Sequence, residues 1–195
     1  MREWSIVCRT ITSVIGRFDA ECTGCARART KSRDMFTLTQ ETPDDWWEVE
    51  ALYDLCFAPG REALSSYRLR DDVPPVARLS RVARDDQGIV GGAIRFWPVR
   101  IGAALALLLG PVAVHPTAQG EGLGGALIRD ALDQAQKDGW ARVLLVGDAP
   151  YYSRFGFARL SDVEMPPPTN PARVLGLALQ PGAWDGIHGR VTRAT

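Results

Sequence analysis

Gln119-Gly120-Glu121-Gly122-Leu123-Gly124-Gly125 packs four glycines into six residues, immediately before a helical pattern. Glycine in a helix's first turns costs about 1 kcal/mol per position relative to alanine. A chain that accepts this cost repeatedly at one point needs bare backbone there. Glycine lets a ligand approach the main chain closely, and the first amides of a helix have no intrahelical acceptor. With the helix dipole added, such a turn cradles phosphate without any basic side chain. The helix itself spans Leu123 to Lys137, with Leu123, Leu127, Ala131 and Ala135 on one side and Gly139 closing it. Upstream, Ala104 to Val114 is an apolar run that reads as a strand.

The surrounding pattern alternates strands and helices. Met35-Phe36-Thr37-Leu38-Thr39 has the period of a half-buried strand, and Thr42-Pro43-Asp44-Asp45 supplies helix-start chemistry. Trp46, Val49, Leu52, Tyr53 and Cys56 then recur at helical spacing, and Pro59-Gly60 ends that helix. A weaker helix is predicted from Glu62 to Arg70. Strands follow at Ala77–Arg84 and Val90–Val99, joined as a hairpin through Asp85-Asp86-Gln87-Gly88. Val143 to Val146 is a short continuous apolar run, expected for a strand buried on both faces. A short helix around Pro150–Phe155, a strand near Phe157 and a last strand at Arg173–Leu179 complete the order. The expectation is an α/β domain over residues 35–195, with a mixed sheet of about seven strands flanked by helices.

Lys plus Arg and Asp plus Glu both number 23 across 195 residues, so the formal net charge is zero. Residues 1–34 hold seven basic and four acidic side chains, leaving the remainder mildly acidic. This balance excludes a broad nucleic-acid footprint, which needs clustered Lys and Arg. It leaves open an anion site built from amides. No apolar run reaches the roughly 18 residues that indicate a membrane span, and the N-terminus lacks a secretory pattern. A cytoplasmic protein without membrane association is expected. Residues 1–34 read as a flexible extension; their Cys22-Thr23-Gly24-Cys25 lacks the further ligands that zinc requires, and no metal site is expected.

Two frames compete for the glycines. Gly120-x-Gly122-x-x-Gly125 matches a dinucleotide fingerprint, with Asp148 as a ribose-binding acid and an NAD-type oxidoreductase as the implied function. In that fold, however, glycines follow the strand directly, whereas His115 to Gln119 intervene here. A P-loop fails because no Lys-Ser/Thr follows the glycines. The other frame is Gln119-x-x-Gly122-x-Gly124. With Leu109-Gly110-Pro111-Val112-Ala113-Val114-His115-Pro116 upstream and Tyr152-Ser153-Arg154-Phe155-Gly156-Phe157 downstream, the chain resembles the GNAT N-acetyltransferases. Val146-Gly147-Asp148 through Phe157, with Arg95-Phe96-Trp97-Pro98-Val99, is similar to that family's bacterial YhbS-type branch. The likeness covers about residues 35–180.

That resemblance implies acetyl-CoA as co-substrate and an amine, on a small molecule or a peptide, as acceptor. It implies a sheet whose fourth and fifth strands splay, and Gly110-Pro111 inside an apolar strand independently points to a break there. Val112, Ala113 and Val114 are then the expected contacts for the pantetheine arm. Gln119, Gly120, Glu121, Gly122, Leu123, Gly124 and Gly125 are the expected pyrophosphate turn. Tyr152 matches the family tyrosine that protonates the departing thiolate, with Tyr151 as the alternative. No acid lies between Ala104 and Val114 to act as base; His115 reads as a loop residue, and Asp148 either orients substrate or, the favoured reading, caps the short helix. A non-catalytic acyl-CoA sensor is the further alternative, and the protein is expected as a monomer or homodimer. Removing residues 1–34 should leave CoA affinity unchanged by calorimetry; lost binding would contradict the extension assignment.

Overall fold

Asp85 to Gly88 reverse the chain between two strands, and from that hairpin the sheet grows in both directions. The structure, a computed structural model, describes residues 36–57, 60–63 and 66–194. The N-terminal extension and its Cys22–Cys25 pair lie outside the described residues. The strands are β1 (Thr37–Gln40), β2 (Arg81–Arg84), β3 (Val90–Ile101), β4 (Ala104–Val114), β5 (Arg142–Val146), β6 (Ala158–Arg159), β7 (Val163–Glu164), β8 (Val174–Ala178) and β9 (Gly189–Arg193). The helices are α1 (Trp46–Phe57), α2 (Leu123–Lys137) and α3 (Ala149–Tyr152). The main sheet runs β1-β2-β3-β4-β5-β8-β6, antiparallel except where β4 meets β5.

Side-chain alternation along β3 divides the core. Ile94 and Phe96, with Leu107, Leu109, Val143 and Leu145, pack under Leu127, Ile128 and Ala131 of α2. Ala93 faces the other way and, with Val82 and Ala113, packs under Val49, Leu52 and Tyr53 of α1. Trp97, Val99, Leu108 and Leu144 continue that second face. Thr42 starts the α1 segment as expected: its N–H and hydroxyl both donate to the Asp45 carboxylate, at 2.6 and 2.9 Å. Val143, Leu144 and Leu145 of β5 are fully buried, as a strand covered on both faces should be.

One residue decides the geometry of β4. Ile94 pairs with Val112 but Phe96 pairs with Leu109, so β4 spends three residues where β3 spends two. The bulge holds Gly110 and Pro111, and proline's missing N–H is harmless there. A Cβ on Gly110 would collide with the Trp97 ring and come within 2.8 Å of the Arg95 carbonyl. Because side-chain direction has period two, the extra residue transfers Val112 and Val114 to the α2 face.

Three expectations are corrected. The helix predicted over Glu62–Arg70 is reduced, among the described residues, to single 3-10 turns at Arg61–Ala63 and Tyr67–Leu69. Ion pairs from Arg61 to Glu50 and Asp54, and stacking of Arg70 on Tyr67 and Trp97, hold this segment against its neighbours instead of letting it wind. The strand predicted from Ala77 begins only at Arg81, because Ser80 bonds back to the Val76 carbonyl and makes Ala77–Leu79 a turn. β7 and β9 were not anticipated; β9 pairs with Val99–Ile101 of β3 and buries only Val191 fully. Replacing Gly110 by Ala should lower unfolding stability by about 1–3 kcal/mol, the usual cost of overpacking. Urea denaturation checks this, and an unchanged midpoint would refute the close-approach role.

Candidate active site

β4 and β5 pair in parallel only at Leu107–Val143 and Leu108–Leu144. Beyond those two pairs, immediately before the Gly110-Pro111 bulge, the strands part. The direction of the freed backbone follows from the other edge of β4. His115 N–H donates to the Gly91 carbonyl at 2.9 Å, which makes residues 91 and 115 a hydrogen-bonded pair of the β3–β4 ladder. In an antiparallel ladder every second residue bonds that partner. Ala113 therefore bonds toward β3, while Val112 and Val114 turn their N–H groups toward the gap that β5 has left. The Val114 carbonyl is engaged already, accepting from Gln119 Nε2 at 3.0 Å and from Cys56 Sγ at 3.4 Å.

Gln119 thus folds back onto the end of β4 and fixes the start of the glycine turn. Gly120 and Gly122 have φ of +86° and +83°, a conformation that side chains rarely adopt, so both are needed to make the turn. The first intrahelical bond of α2 runs from Ala126 N–H to the Gly122 carbonyl at 3.0 Å. The amides of Leu123, Gly124 and Gly125 come before it and have no partner within the helix. Gly124 faces the gap: a Cβ there would stand 3.3 Å from Val114 Cγ2 and 3.4 Å from the Tyr151 hydroxyl. Gly125 faces Arg129, whose guanidinium nitrogens would lie 3.5 Å from a Cβ, with Phe155 at 3.6 Å. Arg129 escaped the sequence reading; the signal was its four-residue spacing from Gly125 on one helix.

On the other bank of the gap, α3 carries the tyrosine pair. The Asp148 carbonyl accepts from both Tyr151 and Tyr152 N–H at 3.1 Å, but the Asp148 side chain makes no capping bond, contrary to expectation. Tyr152 lies against Gly147, where a Cβ would collide with its ring. It meets Tyr151 and Phe157 edge-on, with ring centroids 4.9 and 5.8 Å away. Burial, with the neighbouring Tyr151, pushes the Tyr152 phenol up to about 12, so it keeps its proton at neutral pH. His115 is a loop residue, its Nδ1 accepting from Thr117 N–H at 3.3 Å.

Behind β4, on the α1 face, lies a cluster of paired charges. Buried Arg95 donates to both oxygens of Glu41 at 2.6–3.1 Å and also to Glu50, which in turn pairs with Arg61. Burial alone would raise the Glu50 carboxyl, but hydrogen bonds from Arg61 and Arg95 outweigh it and hold its pKa below the ordinary value. A carboxylate so stabilised is a weak base. Among the described residues no group of three or more His, Cys, Asp or Glu is arranged to hold a metal, and no helix is long and apolar enough to cross a membrane.

A splayed parallel strand pair, with a glycine turn entering a helix at one end, defines the class of fold. The acetyltransferase (GNAT) domain matches residues 78–159 of this chain. The uncharacterized N-acetyltransferase YhbS of Escherichia coli K12 is 37% identical over 119 residues, covering 60% of this chain and 70% of that protein. The crystal structure of E. coli YhbS in complex with CoA superposes with a TM-score of 0.72 at 30% identity, over 82% of this chain and 89% of that one. A GNAT-family acetyltransferase from Brucella melitensis in complex with acetyl-CoA gives 0.62 at 34% identity, over 82% and 96%. The chain belongs to the GNAT N-acetyltransferase family. The dinucleotide frame has no matching scaffold here, since among the described residues the path β1-β2-β3-β4-β5-β8-β6 holds one parallel pair, β4–β5.

The lowered Glu50 pKa carries a stability consequence. Its contribution is fully present above the ordinary carboxyl value of 4.5 and is lost as pH falls below it. Glu50→Gln should therefore flatten the fall in melting temperature between about pH 5 and 3. Equal acid limbs in variant and parent would contradict the assignment.

Proposed function

We propose that this protein transfers the acetyl group of acetyl-CoA to an amine, and that the gap between β4 and β5 is where the thioester lies. The observation that carries this reading is the turning of Val112 and Val114 N–H into a gap with no strand opposite, bounded by Gly124 at one end. A pantetheine arm is a chain of amides, so it can complete a strand edge that lacks a partner. The amides from Gln119 to Gly125 fit a pyrophosphate, with Arg129 adding positive charge to the helix terminus. Arg154, stacked on Tyr151 and Phe155, and Arg129 flank a groove toward Leu177 and Leu179 that fits the rest of the nucleotide.

When bound, acetyl-CoA supplies an acetyl carbonyl activated as a thioester. The neutral amine nitrogen forms a bond to the carbonyl carbon, the carbon–sulfur bond breaks, and its electron pair leaves on sulfur. Tyr152 holds a phenolic proton at neutral pH and gives it to that sulfur. The proton lost from nitrogen returns through water to the phenolate, so the products are an amide and a free thiol. Amides aimed at the carbonyl oxygen stabilise the charge that develops there. The low basicity of Glu50 leaves deprotonation of the amine to water. A cytoplasmic setting belongs to the same proposal and accords with the free thiol of Cys56.

Tyr152→Phe should reduce kcat by about 10²–10³, within the range of general acid catalysis, with CoA affinity unchanged by calorimetry. Tyr151→Phe should have the smaller effect on kcat; the reverse order would transfer the role to Tyr151. Binding of NAD without binding of CoA would refute the whole reading. Failure to acetylate any member of a broad amine panel, with CoA bound, would leave a sensor.

A further inference from the structure

The α1 face of the sheet holds three arginines close together, and they are not equally satisfied. Arg95 is paired with Glu41 and Glu50, and Arg61 with Glu50 and Asp54. These pairs engage all three carboxylates of the cluster. Arg70 has no carboxylate partner among the described residues. Its guanidinium is stacked between two rings, with Cζ 4.1 Å from the Tyr67 centroid and 4.4 Å from that of Trp97. Its Nε is buried and makes no hydrogen bond. Burial lowers its pKa, while the Tyr67 phenol, which is within hydrogen-bonding reach, and Tyr53 oppose the shift. A guanidinium stays charged even so, and its buried Nε–H has no acceptor until an anion meets it.

A second group in the same cluster is also unsatisfied. Tyr53 is 1% exposed, yet its hydroxyl has no hydrogen-bond partner. The Arg70 charge acts on this phenol, and Arg95 and Arg61 lie 5.3 and 5.7 Å from its ring. Native proteins leave few such groups unmet, and two together invite a ligand that accepts hydrogen bonds and carries negative charge. The side chains of Tyr67 and Arg70 are only half-buried, so the site opens to solvent. Trp97 connects it to the gap: one part of the indole stacks on Arg70 and another presses on Gly110, where β4 leaves β5.

We propose that Arg70, with the Tyr53 hydroxyl, binds a carboxylate of the acceptor, so that the protein acetylates amines that carry a carboxylate, of the amino-acid type. The inference rests on the acetyl-transfer reading and names its acceptor. The carboxylate accepts from the guanidinium over Trp97 while the amine end extends past the indole toward Gly110. Peptide amines and simple alkylamines lack a carboxylate at that short distance and are poor substrates. Arg70 is here a specificity residue, and the acetyl chemistry does not pass through it.

The test uses the full-length protein and a panel of free amino acids, each paired with its own carboxamide, which has nearly the same shape without the charge. The expected result is a kcat/KM at least tenfold higher for the best acids than for their amides, carried mainly by KM. Arg70→Met should abolish that preference while leaving CoA affinity unchanged. Tyr53→Phe, which removes only an unpartnered hydroxyl, should weaken it about three- to tenfold and leave the melting temperature equal or higher. Direct binding of the N-acetylated acids and amides by calorimetry, without CoA, gives the same comparison independently of turnover. Equal use of acids and amides, retention of the preference in Arg70→Met, or no binding by any carboxylate would each overturn the proposal. Acetylation of amides alone defeats this inference and leaves the enzymatic reading intact. Loss of CoA binding by the parent protein defeats that reading, while carboxylate binding still reports on Arg70.

Discussion

The divergence of β4 from β5 is the constraint on which the rest of the structure depends. Two parallel pairs, at Leu107 and Leu108, hold the strands together, and then an extra residue in β4 changes both its direction and its parity. The change of parity places Val112 and Val114 over the first turn of α2 and Ala113 under α1. Without the bulge those residues would exchange faces, and the valines would lie on the side away from the glycine turn. The close approach of Trp97 to Gly110 sits at the same point, so packing on one face coincides with the open edge of β4.

An open strand edge is normally costly, since backbone groups without partners lose their hydrogen bonds. Here the loss is confined to one short interval with firm walls. Gln119 and Cys56 secure the last carbonyl of β4, and the Tyr151–Tyr152–Phe157 aromatic cluster secures the end of β5. Two glycines at positive φ, a conformation they adopt without strain, convert a strand exit into a helix entrance aimed at the gap. Packing on both faces therefore keeps the gap pre-formed.

The charged cluster on the α1 face is built on a different principle. Glu41 from the end of β1, Glu50 from α1, Arg61 from the following turn and Arg95 from β3 meet in one paired network. Desolvating these charges gains little stability over an apolar core. Their arrangement does fix where α1 and the Tyr67–Arg70 turn sit relative to β3. The unpaired Arg70 stands at the edge of that network, where an incoming anion can complete it.

The sequence alone determined the elements whose signals are local. The hairpin at Asp85–Gly88, the amphipathic α2 between Leu123 and Lys137 and the buried β5 all follow from turn chemistry and hydrophobic period. So does the glycine turn, because its cost is visible residue by residue. Where side chains meet across long separations, local signals misled or fell silent. Glu62–Arg70 has helical residues, but those of them that the structure describes are held in turns by Arg61 and by the Arg70 stack. Strand β9 shows one fully buried residue and becomes a strand only by pairing with β3 and β7. Asp148 has the residue type of a cap, but its side chain makes no capping bond. Tertiary structure alone decided that the Ala113 amide turns away from the gap and which arginine lacks a carboxylate partner. Both depend on register and pairing between segments far apart in the chain, and composition or spacing carries no record of either.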